Sequence, residues 1–351
     1  MKFHLLAILF LMLYSAPKSG RYHEPTFQVT KKAGLAYAVA QGYWSELEDD
    51  TPTGRKLLMM DKALDERDLS LRLDLYLPKN DTLSHRPLVM LMHGGSFYFG
   101  SRNDQSISKW CQHLASLGYV AASIDYRMGF VPTTTDIERA GYRAIQDAHA
   151  ALRYLVANQD KYGIDTSFIF VGGCSAGAIT ALNLAFMTNK TRPSASYATS
   201  SSNDLGNIET SVNNYKTRFS IKGVVDMWGA LPDTSMMRGR NVPILAFHGD
   251  KDDIVPYRHD YPFGKAGEIR KLLSNKMYGS SCIVDYAKKH GKKAQLYTFE
   301  GFKHSPHRDP KTKELNQNFY LIQDKMVAFF YQIIESEKAK STEQNKLKHH
   351  E

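Results

Sequence analysis

The sequence predicts one α/β domain with a mostly parallel central sheet and helices on both faces. Continuous apolar runs that stop at glycines, such as PLVMLMHGG (87–95), are typical of strands buried on both sides. Amphipathic segments lie between these runs, and the longest predicts a helix over 137–163. This alternation of strand and helix patterns indicates a parallel sheet. The 351 residues, of which 42% are hydrophobic, are enough to build one large core.

The remaining elements follow the same alternation. Helical spacing of apolar residues predicts helices over 104–118 and 176–187, and a further helix is predicted over 267–279. Residues 189–218 are poor in apolar side chains, and a lid and a plain surface loop are equally compatible with that composition. The other predicted strands are 73–78, 119–127, 168–172, 221–229 and 243–250.

Both ends of the chain differ from the predicted domain, which spans 21–335. Lys2 and the apolar run LLAILFLMLY (5–14) are typical of a signal peptide, assigned here to 1–20, because the run is too short to span a bilayer. A buried N-terminal helix is the alternative. The segment 336–351 is charged and polar and is expected to be frayed. We therefore expect a secreted or periplasmic protein without a transmembrane span.

The net charge of +9, from 45 basic and 36 acidic residues, indicates a solvated basic surface. Much of the excess lies in KKHGKK (288–293) and in the C-terminal segment. Nucleic-acid binding would need a basic stripe with interleaved aromatic residues or a known binding module, and the sequence contains neither. We expect no nucleic-acid partner, and the sequence does not determine the oligomeric state.

The three cysteines, Cys111, Cys174 and Cys282, allow at most one disulfide, and their spacing matches no metal site. A disulfide requires Cα atoms within about 7 Å of each other. The predicted helix that carries Cys111 is expected to lie too far from Cys174 for such a bridge. We therefore expect three free thiols, with Cys174 buried and unreactive.

One stretch, FIFVGGCSAGAI (168–179), places a serine between glycines at the end of a predicted strand and the start of a predicted helix. This is the G-x-S-x-G pattern of a nucleophile elbow, in which a sharp turn exposes the serine hydroxyl. Gly173 and Gly177 flank Ser175, because side chains there would collide with the neighbouring strand and helix. The helix start and the backbone N–H of Ala176 favour negative charge beside the serine. We expect Ser175 to be a catalytic nucleophile.

A serine nucleophile needs a base. His304 follows a strand-like run in YTFEGFKHSP (297–306) and is the preferred base. His93 and His248 also follow strand-like runs, but His93 is expected to brace the glycine turn beside it. His248 is expected to shape its own loop.

A histidine base needs a carboxylate that orients it. The loop HGDKDDIVP (248–256) offers the carboxylates of Asp250, Asp252 and Asp253. Asp252 is preferred because it lies three residues before Val255, and its two neighbours remain rivals. Asp250 is expected to shape the loop.

A glycine turn follows the buried strand in LMHGGSF (91–97). Backbone N–H groups in such a turn can face inward and stabilise the oxyanion of acyl transfer. Together with the N–H of Ala176, this turn predicts an oxyanion hole. A simple β-turn is the alternative when the motif is taken alone.

Six segments of the sequence form a recognisable set: HGGSF (93–97), DYR (125–127), DAHAALRYLVANQDKYGID (147–165), GGCSAGA (172–178), HGDKDDIVP (248–256) and GFKH (301–304). Together they resemble the α/β-hydrolase superfamily, and within it the esterase/lipase branch related to hormone-sensitive lipase and microbial carboxylesterases. The order Ser, Asp, His along the chain is also that of this superfamily. The resemblance covers residues 70–335 and implies a single domain with the α/β-hydrolase fold.

In that branch the third and fourth letters of an H-G-G-G motif donate to the oxyanion, which implies Gly95 and Ser96 here. The fourth letter is a serine in this chain; its backbone donor is retained, and its side chain is expected to narrow or polarise the acyl pocket. A cysteine beside the nucleophile, like Cys174, also occurs in feruloyl esterases and tannases, where it pairs with a cysteine adjoining the catalytic histidine. Here a lysine and a serine adjoin His304, so that pairing is absent.

These features predict a serine hydrolase that cleaves carboxylic esters through an acyl-enzyme, with Ser175, His304 and Asp252 as its triad. The substrate is expected to be a small-molecule or polymer-linked ester, and the chemistry needs no cofactor or metal. A peptidase of the prolyl-oligopeptidase type is one alternative, disfavoured because little chain precedes residue 70. A non-catalytic binding protein on a hydrolase fold, as in neuroligin-like proteins, is another, although such proteins usually lack a triad member.

Overall fold

The computed structural model describes residues 20–46, 66–200 and 202–348, without the side chains of 345–348. All but the last residue of the predicted signal peptide, 1–20, lie outside the described residues. Within the described part of the chain, none of the helices combines the length and the hydropathy that a membrane crossing requires.

An eight-stranded sheet forms the centre of the domain, and a small three-stranded antiparallel sheet lies beside it. The described strands are β1 (Val29–Gly42), β2 (Arg67–Pro78), β3 (Arg86–Met92), β4 (Val120–Ile124), β5 (Ile164–Cys174), β6 (Ile221–Met227), β7 (Ala230–Leu231), β8 (Ile244–Gly249), β9 (His259–Asp260), β10 (Met277–Gly279) and β11 (Ala294–Phe299). The order in the large sheet is β1-β2-β4-β3-β5-β6-β8-β11, and only the β1–β2 and β2–β4 pairs are antiparallel.

Helices cover both faces of the large sheet. The described helices are α1 (Gln105–Ser116), α2 (Thr134–Ala157), α3 (Gln159–Tyr162), α4 (Ala176–Phe186), α5 (Arg270–Leu273), α6 (Ser280–Lys289) and α7 (Gln317–Lys348). Buried Trp110 of α1 and Phe330 of α7 belong to the core on one face. Buried Leu152 of α2, Leu182 of α4 and Ile283 of α6 belong to the core on the other. This architecture confirms the predicted fold class.

The parallel strands all end at one edge of the sheet, and this edge collects the predicted site residues. In register, Met92 at the end of β3 pairs with Gly173 of β5, and His248 of β8 pairs with Thr298 of β11. The loops that follow β3, β5, β8 and β11 therefore meet in space. This edge is where ligands bind in open α/β sheets.

The predicted helix over 267–279 is wrong. A short 3-10 segment, Gly264–Ile269, leads into the single turn α5, and the chain then becomes strand β10. Gly267 has a φ of 58°, which a continuous right-handed helix does not accommodate. β10 pairs with β7 and β9 in the small sheet, so strand pairing replaces the predicted helical turns.

The expectation of a frayed segment over 336–351 is also wrong as far as Lys348, because α7 continues to that residue. The sequence of α7 contains no glycine or proline and is rich in strong helix formers. Ion pairs join Lys338 to Glu335 at 3.1 Å and Lys340 to Glu337 at 2.7 Å, three residues apart in each case. Such pairs stabilise the end of the helix, which is exposed and has no apolar face to pack against the domain.

Most of the segment 189–218 is irregular and is fixed to α2 by hydrogen bonds. Arg139 of α2 donates to the backbone carbonyls of Ala195 and Asn203, both at 2.8 Å. Arg153, farther along the same helix, donates to carbonyls later in the segment. These contacts are those of a surface loop held against the domain.

We expect Phe330→Ala to lower the free energy of unfolding by about 3–5 kcal/mol, because the ring is fully buried and a cavity remains after truncation. The ring centroid lies 4.5 Å from that of Phe170 in the sheet. Tyr320→Ala on the same helix is the control, since that side chain is 51% exposed and its loss should cost less than about 1 kcal/mol. Equilibrium urea unfolding measures both, and equal losses would contradict the packing of α7 described here.

Candidate active site

Ser175 lies at a sharp turn between β5 and α4, with a positive φ of 54°. A Cβ atom added to Gly173 would lie 2.5 Å from the backbone of Gly177 and 2.6 Å from the carbonyl oxygen of Met92. One added to Gly177 would lie 2.3 Å from the same carbonyl oxygen. Side chains are excluded at both positions, as the sequence predicted. The close approach leaves the serine hydroxyl projecting from the sheet edge.

The structure brings the three predicted triad residues into one hydrogen-bonded chain. Nε2 of His304 lies 2.9 Å from Oγ of Ser175, and Nδ1 lies 2.7 Å from Oδ2 of Asp252. An ionised carboxylate can only accept, so Nδ1 carries the hydrogen and Nε2 is free to accept the serine proton. The Asp252 side chain is fully buried, and that of His304 is 18% exposed. This is the geometry of an activated serine nucleophile.

Four donors surround the Asp252 carboxylate. Oδ1 accepts the backbone N–H groups of Ile254 at 2.8 Å and Val255 at 3.0 Å. Oδ2 lies between His304 at 2.7 Å and His248 at 3.2 Å. Burial by itself raises the pKa of Asp252, but the hydrogen bonds from the two imidazoles outweigh it and hold this pKa well below its ordinary value. The carboxylate is therefore ionised at neutral pH.

The two rival carboxylates point elsewhere. Oδ1 of Asp250 accepts the backbone N–H of Gly301 at 2.6 Å, so this side chain joins the loop after β8 to the loop after β11. Asp253 forms ion pairs with Lys265 at 3.0 Å and Lys303 at 3.6 Å. Of the three aspartates, Asp252 is the one that hydrogen-bonds to the histidine base. Asp250 shapes the loop, as expected.

The predicted oxyanion donors lie beside the nucleophile. No described residue accepts a hydrogen bond from the N–H groups of Gly95, Ser96 or Ala176. Gly95 has a φ of 116°, and an added Cβ would lie 2.0 Å from the carbonyl oxygen of Phe99, so only glycine fits there. Gly95 and Ser96 line the same cavity as Ser175. Unpaired backbone donors beside the nucleophile are what an oxyanion hole requires, and the donor role of these three groups stays a prediction.

His93 braces the glycine turn of residues 93–97, called here the oxyanion loop, as predicted. Its Nδ1–H donates to the carbonyl of Gly94 at 2.6 Å, and its ring stacks on Tyr126 with centroids 4.3 Å apart. Burial lowers the pKa of His93 to about 4, so the ring is neutral at pH 7. Gly94 was not predicted as a site residue, yet an added Cβ there would lie 3.3 Å from Cβ of Ser175 and 3.1 Å from the carbonyl oxygen of Cys174.

Comparison with known proteins finds similar sequences and folds. A family model described as BD-FAE matches residues 73–239. The chain is 32% identical over 116 residues to gut esterase 1 of Caenorhabditis elegans, covering 32% of this chain and 20% of that protein. It is 35% identical over 105 residues to esterase LipC of Mycobacterium tuberculosis, covering 30% of this chain and 24% of LipC. The matched region thus spans a quarter or less of these relatives.

The fold resembles that of an inhibited esterase B from Lactobacillus rhamnosis, with a TM-score of 0.54 and 14% identity over 90% of each chain. This likeness covers almost the whole domain, whereas the sequence matches to the relatives cover about a third of it. The family model, the two relatives and the fold together support the esterase/lipase branch of the α/β-hydrolase superfamily. The predicted resemblance is thereby confirmed.

The predicted triad adjoins a cavity of about 810 Å³, which Ser175 and His304 line. The charged side chains of Asp104 and Arg308 also lie on its wall. Asp104 also caps α1 by accepting backbone N–H groups at its start. The cavity that holds the reacting serine and histidine therefore also carries charged side chains.

A second cavity, of about 520 Å³, lies near the oxyanion loop. Phe97, which directly follows the predicted donor Ser96, lines it together with Ile179 and Met236. Ile179 lies one helical turn after the nucleophile, and its N–H donates to the carbonyl of Ser175 at 2.9 Å. This second cavity is mainly apolar and shares two elements with the reaction centre.

Two aromatic residues that the sequence argument did not single out form the wall beside the base. The Trp228 ring lies edge-on to that of His304, with centroids 6.4 Å apart, and stacks on His307 at 4.7 Å. Nε2 of His307 hydrogen-bonds to Oγ of Ser106 at 2.9 Å, and burial lowers the pKa of His307 to about 3. Trp228 lies at the end of the predicted strand IKGVVDMWG, and this position could have indicated that it adjoins the site.

Cys174, directly before Ser175, is buried and contacts Met227. Its Sγ lies 3.9 Å from Sδ of Met227, and burial raises the pKa of its thiol well above the ordinary value. Cys111 and Cys282 are also described, and none of the three forms a disulfide. A buried thiol of this kind behaves as a small apolar side chain.

We expect Asp252→Asn to lower kcat for ester hydrolysis by about 10⁴-fold at neutral pH, because an amide no longer holds His304 in the required tautomer. Asp250→Asn and Asp253→Asn remove the same charge from the same loop but do not alter the hydrogen bond to the base. They should change kcat less than about fivefold. Steady-state kinetics of the three purified variants provides the measurement. Normal kcat in Asp252→Asn, with a large loss in either of the others, would show that the wrong carboxylate was assigned.

Proposed function

We propose that this protein hydrolyses carboxylic esters through an acyl-enzyme formed on Ser175. The observation that carries the proposal is the buried chain of hydrogen bonds from Ser175 through His304 to Asp252, at 2.9 and 2.7 Å. At Ser175 this series of hydrogen bonds reaches a cavity that is large enough for a small ester. Gly95 and Ser96, whose backbone N–H groups have no described acceptor, line the same cavity. The names of the two relatives, both esterases, support the same reaction class.

Acylation begins when Nε2 of His304 accepts the hydroxyl proton of Ser175, and Oγ attacks the ester carbonyl carbon. The carbonyl oxygen becomes an oxyanion, which the N–H groups of Gly95, Ser96 and Ala176 stabilise by hydrogen bonding. The imidazolium of His304 is stabilised by ionised Asp252. The tetrahedral intermediate collapses as His304 returns the proton to the departing alkoxide, and the alcohol leaves.

Deacylation repeats these steps with water as the nucleophile. Water fills the place of the alcohol, gives a proton to His304, and attacks the acyl carbon held on Ser175. The second tetrahedral intermediate expels Oγ of the serine, which takes the proton back, and the carboxylic acid is released.

We infer where the two arms of the ester lie from the position of the proposed base. His304 must lie within hydrogen-bond reach of the leaving oxygen, so the alcohol extends into the polar cavity that contains Asp104 and Arg308. The acyl arm then points past the oxyanion loop toward the apolar cavity lined by Phe97 and Ile179. We propose esters of a polar alcohol with an apolar acyl group as the preferred substrates.

Two other functions fit the fold. A peptidase of the prolyl-oligopeptidase type would use the same triad on amides, and an amide analogue assayed beside each ester distinguishes it. A non-catalytic binding protein on this fold would leave the serine unreactive. The tight Ser175–His304 contact favours the enzyme over the binding protein, because a binding role does not require it.

Ser175→Ala should reduce ester hydrolysis by 10⁴-fold or more, on the order of the loss expected when one member of a cooperating triad is removed. The fold should be unchanged, because the alanine removes only one hydroxyl. The measurement is the initial rate on p-nitrophenyl acetate, together with labelling by a fluorophosphonate and peptide mapping. Ser167→Ala is a matched control, since Ser167 is an exposed serine on β5, the strand that carries the elbow.

Wild-type activity in Ser175→Ala, or fluorophosphonate on a different residue, would rule out the assigned nucleophile. A wild-type protein that neither turns over esters nor takes the label would support the binding-protein alternative. Preferential cleavage of the amide analogue would support the peptidase.

Ile179→Trp should shift the preferred acyl length, because the indole occupies part of the apolar cavity. Each excluded CH₂ forfeits about 0.8 kcal/mol, or about fourfold in kcat/KM. We expect the ratio of kcat/KM for p-nitrophenyl octanoate to that for acetate to fall at least about tenfold. Ile269→Trp is the control, since Ile269 is 62% exposed and lines neither cavity. An unchanged ratio would exclude this cavity as the acyl site.

A further inference from the structure

A second imidazole contacts the proposed catalytic acid. Nε2 of His248 lies 3.2 Å from Oδ2 of Asp252, the same oxygen that receives the hydrogen bond from His304. His248 is the fifth residue of β8, and its side chain is fully buried. The oxygen that orients the base is therefore shared by two histidines.

The hydrogen on Nε2 of His248 follows from its neighbours. Nε2 lies 3.2 Å from two groups that can only accept, Oδ2 of Asp252 and the carbonyl oxygen of Val255. A bare nitrogen lone pair facing two acceptors would be repelled by both. Nε2 therefore carries a hydrogen that is shared between the carbonyl of Val255 and the carboxylate of Asp252.

The other side of the ring is held by a second buried carboxylate. Nδ1 of His248 lies 2.7 Å from Oγ of Ser280, and that hydroxyl lies 2.7 Å from Oδ2 of Asp226. Oδ1 of Asp226 accepts the backbone N–H of Gly229 at 2.7 Å. His248, Ser280 and Asp226 are all fully buried. The three residues come from β8, α6 and β6, so the ring is fixed by three separate elements.

Two arrangements of protons satisfy the hydrogen bonds on the Nδ1 side of the His248 ring, and both leave Nε2 as a donor. The serine hydroxyl can donate to Asp226, in which case Nδ1 of His248 is also protonated. Alternatively the hydroxyl donates to Nδ1 of His248, and Asp226 carries the proton itself. Burial raises the pKa of Asp226, while the hydrogen bond from Ser280 and the charge of His248 lower it. The donation to Asp252 is the same in either state.

We propose that His248 is a positioning residue of the triad, which fixes the Asp252 carboxylate and moderates its attraction for the proton on His304. The proposal rests on the proposed ester hydrolysis. His248 does not touch the substrate; it acts on the acid. The chain of hydrogen bonds thus extends from Asp226 through Ser280, His248, Asp252 and His304 to Ser175.

The sign of the effect follows from this arrangement. Without the donor from His248, Oδ2 of Asp252 keeps one imidazole partner, and its full negative charge attracts the proton on His304 more strongly. The base is then protonated, and inactive, over a wider range of acid pH. The other charged or titratable groups that face His248 are Asp226 from β6 and Tyr257, whose ring lies edge-on with centroids 5.6 Å apart. The Tyr257 hydroxyl is hydrogen-bonded to Thr298 of β11.

The decisive experiment compares His248→Asn with His248→Gln. Both variants keep a buried polar amide, but the asparagine amide reaches only the Nδ1 side, toward Ser280, whereas the glutamine amide reaches the Nε2 side, toward Asp252. His290→Asn is the control, because His290 is exposed and follows α6. Rates on p-nitrophenyl acetate are measured against pH and divided by the concentration of fluorophosphonate-reactive sites, so that misfolded molecules do not count.

In His248→Asn we expect kcat to fall about 10- to 100-fold, a loss typical for an orienting partner one contact away from the reacting group. KM should change less than about threefold, and the acid limb of kcat/KM should move up by about half to one pH unit. His248→Gln should return the acid limb toward the wild-type position and recover part of kcat. Equal losses in both variants with an unmoved acid limb would overturn the proposal and leave His248 a purely structural residue.

A second readout does not require turnover. The proton between His304 and Asp252 gives a downfield ¹H NMR resonance, which should shift in His248→Asn and stay in place in His290→Asn. An unshifted resonance would overturn the role of His248. A shifted resonance in a protein that fails to hydrolyse esters would instead count against the proposed function, and the role of His248 toward Asp252 would stand.

Discussion

The site depends on one close approach of backbone, where β5 passes into α4. Gly173 and Gly177 contact each other there, and both lie against the carbonyl oxygen of Met92, the last residue of β3. No side chain fits at either glycine, so a larger residue would push the nucleophile helix away from the strand that leads into the oxyanion loop. The elbow therefore sets the position of Ser175 and its distance from Gly95 through the same contact.

A similar approach joins the other half of the site. A Cβ atom added to Gly249, the last residue of β8, would lie 2.4 Å from the carbonyl oxygen of Phe302 and 2.6 Å from that of Lys303. This glycine lets the loop that carries His304 lie directly on the loop that carries Asp252. The hydrogen bond from Gly301 to Asp250 then ties the two loops together. Base and acid are placed by backbone contact before their side chains interact.

These local constraints explain what the sequence could predict. Ser175, His304 and Asp252 lie in short segments where glycines and strand ends leave a clear local signal. β1 was not predicted, because register shifts between Lys32 and Leu35 and between Ala36 and Ala38 break the alternation of a strand. The strand β10 and the polar end of α7 were missed because pairing with distant strands and ion pairs along the helix decide their structure. The contact of His248 with Asp252 leaves no local signal that separates it from a loop-shaping residue.

Burial of charge links the chemistry to the whole fold. Arg102, beyond the oxyanion loop, pairs with Asp125 and with Asp74 at 3.0 Å, and burial raises the pKa of Asp125 to about 7 against the lowering effect of Arg102. Asp252 and Asp226 are buried in the same way around His248. A buried charge that loses its partner costs several kcal/mol. Asp74, Asp226 and His248 lie on three different strands, β2, β6 and β8, so the oxyanion loop and the acid loop keep their electrostatic environment only while the sheet retains its register.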